Sequence, residues 1–183
     1  MVRVQVKAYL AHTFKHRFYV RDKLTPKIHA LGIYTKNPFY EPDGTTKRQE
    51  VRLADQADIT GLSTSDIAVE ANNVKSDGYS KISASDKEKE KWIRMVRSRS
   101  KQIVPRDLSF IDGTDLTIAY MTDISAGTTC EIFYTGIIKH RPVFLLTDNP
   151  GVYEHPWLIH SCRFGKICKT EEELIKSLKR KYH

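Results

Sequence analysis

The chain has 183 residues, 40% of them hydrophobic, and 30 Lys and Arg against 22 Asp and Glu give it a formal charge of +8. That length suits one domain with a buried core, and no apolar run approaches the ~20 residues of a membrane span. Cys130, Cys162 and Cys168 form no metal-ligand spacing, and three is the wrong number for a disulfide framework. A cytoplasmic, reduced protein with no metal and no cofactor is the expectation. Basic charge clusters in Lys87–Lys101 and Lys176–Lys181, both of which read as helices with solvated outer faces. Such charge permits a nucleic-acid partner, but no recognisable nucleic-acid module accompanies it, so that partner is not favoured.

Val2 to Leu10 reads as the first strand, with no signal-peptide apolar stretch, and runs into the polar turn His12–Arg17. Phe18, Leu24, Ile28 and Leu31 predict a helix closed by Gly32. Pro26 either kinks that helix or starts a shorter one after a Thr25 cap. Ile33–Thr35 is a short second strand ending at Asn37-Pro38. Residues 40 to about 84 are polar with little to bury, which suggests an insertion or a flap. Ser85–Glu88 is a capping box opening a helix with Trp92, Ile93 and Val96 inward, and Pro105 ends that region.

Leu116–Met121 reads as a strand buried on both faces, Thr122–Gly127 as a turn, and Cys130, Phe133, Ile137 and Ile138 as the inward face of a helix. Arg141-Pro142 stops that pattern before the strand Val143–Leu146. A polar turn over 147–151, the run Pro156–Ile159, a last strand within Arg163–Cys168 and a helix capped at Thr170 complete the chain. Leu174, Ile175 and Leu178 dock that final helix. This alternation predicts an α/β fold: a doubly wound, flavodoxin- or Rossmann-like, mostly parallel sheet of about five strands. An insertion separates strand 2 from the helix preceding strand 3, with 40–102 as insertion and helix inside one domain spanning 1–183.

Glu131 lies just inside the helix after the central strand, beside a turn at the carboxyl end of the sheet, where open α/β sheets keep their ligands. An acid there equally serves the helix dipole. Asp107 reads as a cap after Pro105, and Asp115 and Asp123 as acids flanking a strand. Ser125–Thr129 is not a Walker loop, and no G-x-G-x-x-G is present.

Tyr9-Leu10-Ala11, Asp107 with Asp115 eight positions on, Ser125-x-Gly127, and Glu131-Ile132 sixteen positions past Asp115 together resemble the nucleoside 2-deoxyribosyltransferase superfamily. Order and spacing are closest to its hydrolase branch, the 2'-deoxynucleoside 5'-monophosphate N-glycosidases, over roughly residues 3–39 and 103–178. The resemblance implies Glu131 as nucleophile at the anomeric carbon, Asp107 as the acid assisting the departing base, and Tyr9 as the donor orienting the glutamate. That is the two-carboxylate logic of retaining glycosidases applied to a C–N bond. Glu131 has to stay ionised, and Asp107 has to hold a proton.

The family's substrate contacts match Asp115, Ser125 and Gly127, with Thr13, Lys15, His16 and Arg17 at its phosphate-contacting loop. Serine at 125, where nucleoside transferases carry an aspartate, favours a nucleotide over a nucleoside. The same loop also reads as ordinary solvated charge. A homodimer with shared pockets is implied, and His155 is the nearest match by position to the residue a neighbouring subunit contributes. His12 stands where the family has glycine, and Phe133 replaces the glycine of Glu-Leu-Gly. The expected function is thus a nucleotide N-glycosidase. Alternatives are a base-exchanging deoxyribosyltransferase, a non-catalytic nucleotide-binding module and a basic nucleic-acid-binding protein.

Overall fold

Five short strands, all parallel, form one sheet in the order β2-β1-β3-β4-β5. They are β1 (Lys7–His12), β2 (Tyr34–Lys36), β3 (Leu116–Tyr120), β4 (Val143–Leu146) and β5 (Lys166–Cys168). The structure, a computed structural model, describes residues 5–39, 94, 97, 101 and 103–183. The expected flap over 40–84 and the capping box at Ser85–Glu88 with its inward Trp92 lie outside the described residues. Contacts group the chain into two units, Met1–Pro42 with Asp107–His183, and Asp43–Arg106. Of the second unit, Arg94, Arg97, Lys101 and residues 103–106 are helical. All five strands belong to the first.

Alternation along the strands sorts side chains onto two helix-covered faces. Ala8, Leu10, Leu116, Ile118, Phe144 and Leu146 point to one, where they meet Val20, Leu24, Ile28, Leu174 and Leu178. Tyr9, Ala11, Ala119, Val143 and Leu145 point to the other, against Ile111, Ile132, Val152 and Leu158. With apolar material on both faces, β3 and β4 are buried along nearly their whole length. This is the doubly wound α/β sandwich that the strand–helix alternation predicts.

The first face is covered by the segment after β1 and by the last helix. Phe14–His16 forms a 3-10 turn, α1 spans Arg17–Tyr19, a π turn spans Val20–Leu24, and α2 spans Thr25–His29. The chain stays helical across Pro26 because the wider π turn precedes it, with Thr25 bonding back to the Val20 carbonyl through both its N–H and its hydroxyl. Gly32 closes the segment at φ +67°, a left-handed value that a side chain disfavours. Phe18, expected inward, is instead 48% exposed under the Arg17 guanidinium.

On the second face, α3 (Ala126–Phe133) continues into a π turn (Tyr134–Ile138), followed by α4 (Pro150–Tyr153) and α5 (Pro156–Ser161). Residues 103–112 are helical straight through Pro105, so Asp107 lies within a helix and is not a cap. Leu108 and Ile111, three apart, pack on the sheet there, and tertiary burial overrides the local stop signal. The inward face of α3 also differs from expectation. Thr128, Ile132, Thr135 and Gly136 are buried, whereas Cys130 and Ile138 are exposed. A side chain at Gly136 would meet the Ser161 carbonyl oxygen at 1.9 Å, so close approach to α5, not apolar periodicity, sets the helix rotation. Helix α6 (Glu171–Tyr182) is capped as expected: the Thr170 side chain accepts the Glu173 N–H.

Candidate active site

The chain leaves the β1/β3 pair in opposite directions, toward β2 on one side and β4 on the other. At such a topological switch point an open α/β sheet holds its ligands in a crevice outside the strands' carboxyl ends, here those of β1 and β3. Two segments border it. After β1, Thr13 leads into the Phe14–His16 turn; after β3, Met121–Ser125 leads into α3. Contacts stitch the two together. Lys15 Nζ donates to Asp123 Oδ2 at 2.7 Å, and His16 Nε2 lies 3.0 Å from Thr122 Oγ1; from the segment after β4, Asn149 Nδ2 donates to the Thr122 carbonyl at 2.6 Å.

Glu131 and Tyr9 meet on the second face of the sheet. The fully buried Tyr9 donates its hydroxyl to Glu131 Oε1 at 2.7 Å, a length typical of an O–H bonded to a carboxylate. Glu131 is the sixth residue of α3, not a first-turn acid, because the helix begins at Ala126. The helix dipole fades within the first turn and does not account for it. A half-buried acid held by a fully buried tyrosine reads as a positioned group.

Asp107 is half-buried on the helical run whose Leu108 and Ile111 join the cluster containing Tyr9 and Ile132. It therefore lies on Glu131's side of the sheet. At about 1.5 Å per residue it is about 7.5 Å farther from the amino edge than Asp112. Asp115 is placed elsewhere. Its carboxylate accepts the Lys7 backbone N–H at 2.8 Å, and its own N–H donates to the Lys7 carbonyl at 2.7 Å. It thus clamps the start of β3 to β1 at the amino edge, about 16 Å of strand from the crevice. That position corrects the expectation of a substrate contact.

Around the crevice, Thr13 Oγ1 is buried with no hydrogen-bond partner among the described residues. Arg17 is 8% exposed, so of the loop's basic side chains Lys15 is the exposed one, with His16 half-buried beside it. Burial pushes the His16 imidazole below its ordinary value, with Lys15 adding to the effect and Asp123 opposing it. Ser125 is the extended N-cap residue of α3 and makes no side-chain cap bond; Gly127 is the exposed second residue of that helix. His155 is the N-cap residue of α5, with its ring Nδ1 buried and no partner among the described residues.

Three features had no place among the sequence-based expectations. His12, noted only as standing where the family has glycine, is 4% exposed, with Nδ1 3.0 Å from the Thr13 carbonyl and Nε2 3.2 Å from Asn37 Oδ1. Burial drives it down to about 4 against the opposing pull of those two contacts. Thr129 Oγ1, on α3, is buried without a partner among the described residues. Thr117 and Thr135 share a buried hydroxyl contact of 2.7 Å. The one available signal was a threonine inside the apolar run Leu116–Met121, a polar group that has to find a partner.

No protein-family model and no curated protein matches this sequence. Among solved structures, one described as a 2-deoxyribosyltransferase from the psychrotolerant bacterium Bacillus psychrosaccharolyticus is similar over 93% of this chain and 90% of that one. Its sequence identity is 15% and its TM-score 0.49.

The side chains themselves bear on the chemistry. Burial pushes the Cys162 thiol up to about 12 and raises that of Cys168, so neither is a ready thiolate nucleophile. Among the described residues, no three His, Cys, Asp or Glu side chains are grouped to hold a metal, and no helix is long and apolar enough to cross a membrane. The described residues place an oriented carboxylate and a second acid on one face of the sheet, beside the polar segments that follow β1 and β3.

Proposed function

We propose that the protein is an N-glycosidase acting on (2'-deoxy)nucleoside 5'-monophosphates. The observation that carries this reading is the 2.7 Å hydrogen bond from Tyr9 to Glu131 beside the switch-point crevice. A carboxylate oxygen of Glu131 attacks the anomeric carbon, and the C–N bond to the base breaks with its electron pair moving onto the base nitrogen. Asp107 supplies the proton that nitrogen takes. Water then adds to the anomeric carbon of the glutamyl–sugar ester and gives one proton to the Asp107 carboxylate; the sugar–Glu131 C–O bond breaks with its electron pair returning to the Glu131 carboxylate, and (deoxy)ribose 5-phosphate leaves. Tyr9 holds the attacking carboxylate through both steps. The phosphate sits in the crevice among Thr13, Lys15, His16, Ser125 and Gly127, with Arg17 adding charge from below. A cytoplasmic homodimer goes with this reading, His155 serving the neighbouring pocket; a monomer by sedimentation at assay concentration removes that part.

A second reading is a deoxyribosyltransferase that passes the sugar to another base. The Lys15–Asp123 ion pair favours it, because the loop lysine is then partly neutralised and an extra carboxylate stands where a 5'-phosphate would sit. One assay decides: incubate nucleosides and nucleoside monophosphates, with and without an acceptor base, and resolve the products chromatographically. Free base from a monophosphate without acceptor supports the hydrolase, and strict dependence on an acceptor supports the transferase. Turnover by Glu131→Gln at the wild-type rate would remove Glu131 from the chemistry.

A further inference from the structure

Tyr9 and Thr117 are direct partners in the β1/β3 pairing, so they occupy one rung of the sheet on adjacent strands, about 4.8 Å apart. Both are fully buried. Tyr9 holds the Glu131 carboxylate from that rung. From the same rung, Thr117 reaches Thr135, Oγ1 to Oγ1 at 2.7 Å, and Thr135 Oγ1 donates to the Glu131 backbone carbonyl at 2.9 Å. A hydroxyl has one proton. Because Thr135 gives its proton to the carbonyl, Thr117 is the donor in the contact between the two. The relay therefore runs one way, from the Thr117 hydroxyl to the Thr135 hydroxyl to the Glu131 carbonyl.

We infer that Thr117 and Thr135 are positioning residues for Glu131, fixing the helical turn that carries it while Tyr9 fixes its carboxylate. This rests on the reading of Glu131 as the nucleophile. Three details support a role beyond packing. The relay ends on the backbone of Glu131 itself. Thr135 lies in the π turn Tyr134–Ile138, where the α-helical ladder is interrupted and a side chain bonding back to a carbonyl sets the local bend. The two anchors also sit on one rung of parallel strands, so a slide or rotation of α3 is resisted at both ends of the same residue. Neither threonine touches substrate; each acts through Glu131.

The test uses the isosteric substitutions Thr135→Val, Thr117→Val and their double variant, with Thr135→Ser as the conservative control. Replacing both hydroxyls by methyls of the same shape strands no donor and is close to neutral for folding, so the double variant keeps the wild-type melting temperature. Positioning predicts a fall in kcat of about tenfold or more, since a displacement near 1 Å at a reacting group costs up to about a hundredfold. KM stays within about twofold, and the double variant is no slower than Thr135→Val alone because both belong to one relay. Thr135→Ser restores kcat. Full kcat in the double variant, with Glu131→Ala inactive, overturns the inference and leaves the nucleophile reading standing. Loss of kcat only in step with loss of folded protein also overturns it, in favour of a structural role. Base release by Glu131→Ala, or none by the wild type, overturns both.

Discussion

Removing the Tyr9 hydroxyl, as Tyr9→Phe, is the most direct perturbation of the proposed site. The ring stays buried, and the 2.7 Å bond to Glu131 Oε1 is lost. A hydrogen bond to a charged group contributes about 1.5–3 kcal/mol net. Glu131 is half-buried, within reach of water, which places the loss at the lower end, about 1.5 kcal/mol. In a domain of this size that lowers Tm by about 3–6 °C. The same energy lost only in the transition state slows kcat about tenfold, at about 1.4 kcal/mol per decade, and a carboxylate that swings out of line adds to this. A double-mutant cycle with Glu131→Ala, which removes the acceptor, reads the coupling of the pair, and about 1–2 kcal/mol is expected in denaturant unfolding. Coupling indistinguishable from zero, or a Tyr9→Phe protein matching the wild type in both Tm and kcat, would mean that this hydrogen bond holds neither the fold nor the carboxylate.

His12 gives a pH-dependent prediction. Its folded value of about 4 lies below the ordinary 6.5, so the unfolded chain takes up the proton first as pH falls. The stability it contributes is complete above about pH 6.5 and is lost down to about pH 4, to a total of about 3 kcal/mol. Urea midpoints at pH 7, 5.5 and 4.5 should fall less steeply for His12→Asn than for the wild type. His16 and His29 titrate in the same direction in both proteins, and equal slopes would exclude His12. Gly127→Ala meets no atom within 4 Å, so it should be neutral or add up to about 1 kcal/mol of helix stability. Its turnover of a monophosphate should fall if an anion packs on that backbone, and unchanged turnover takes Gly127 out of the site. Gly136→Ala places a methyl 1.9 Å from the Ser161 carbonyl oxygen and should cost on the order of 3 kcal/mol of overpacking, read as a lowered urea midpoint.

Alternation and apolar runs made the sheet legible. The residues of β3 and β4 announce strands buried on both faces, and the helices between parallel strands follow from the connections. Helix boundaries were less legible because tertiary contacts set them. Residues 107–112 are held by Leu108 and Ile111 against the sheet, and the rotation of α3 is set by Gly136 against α5. Periodicity chose Cys130 and Ile138 as the inward side, although threonine hydroxyls and a glycine face inward there. Of the site, the Tyr9–Glu131 meeting came from resemblance, since residues 122 positions apart carry no local signal of contact. Asp115 was misplaced because spacing along the chain does not say which edge of the sheet a residue occupies.

The rung shared by Tyr9 and Thr117 explains why the site depends on strand register. Side chains alternate along β1, so Leu10 enters the opposite cluster while Tyr9 reaches α3. A slip of one residue would exchange them, burying the hydroxyl among Val20, Leu24 and Ile28 and removing the carboxylate's donor. The Lys7–Asp115 clamp opposes that slip from the amino edge, where two hydrogen bonds fix the start of β3 against the start of β1. Asp115 therefore bears on Glu131 at a distance by holding the register that keeps Tyr9 opposite Thr117. A carboxylate far from the crevice can matter to the chemistry without meeting the substrate.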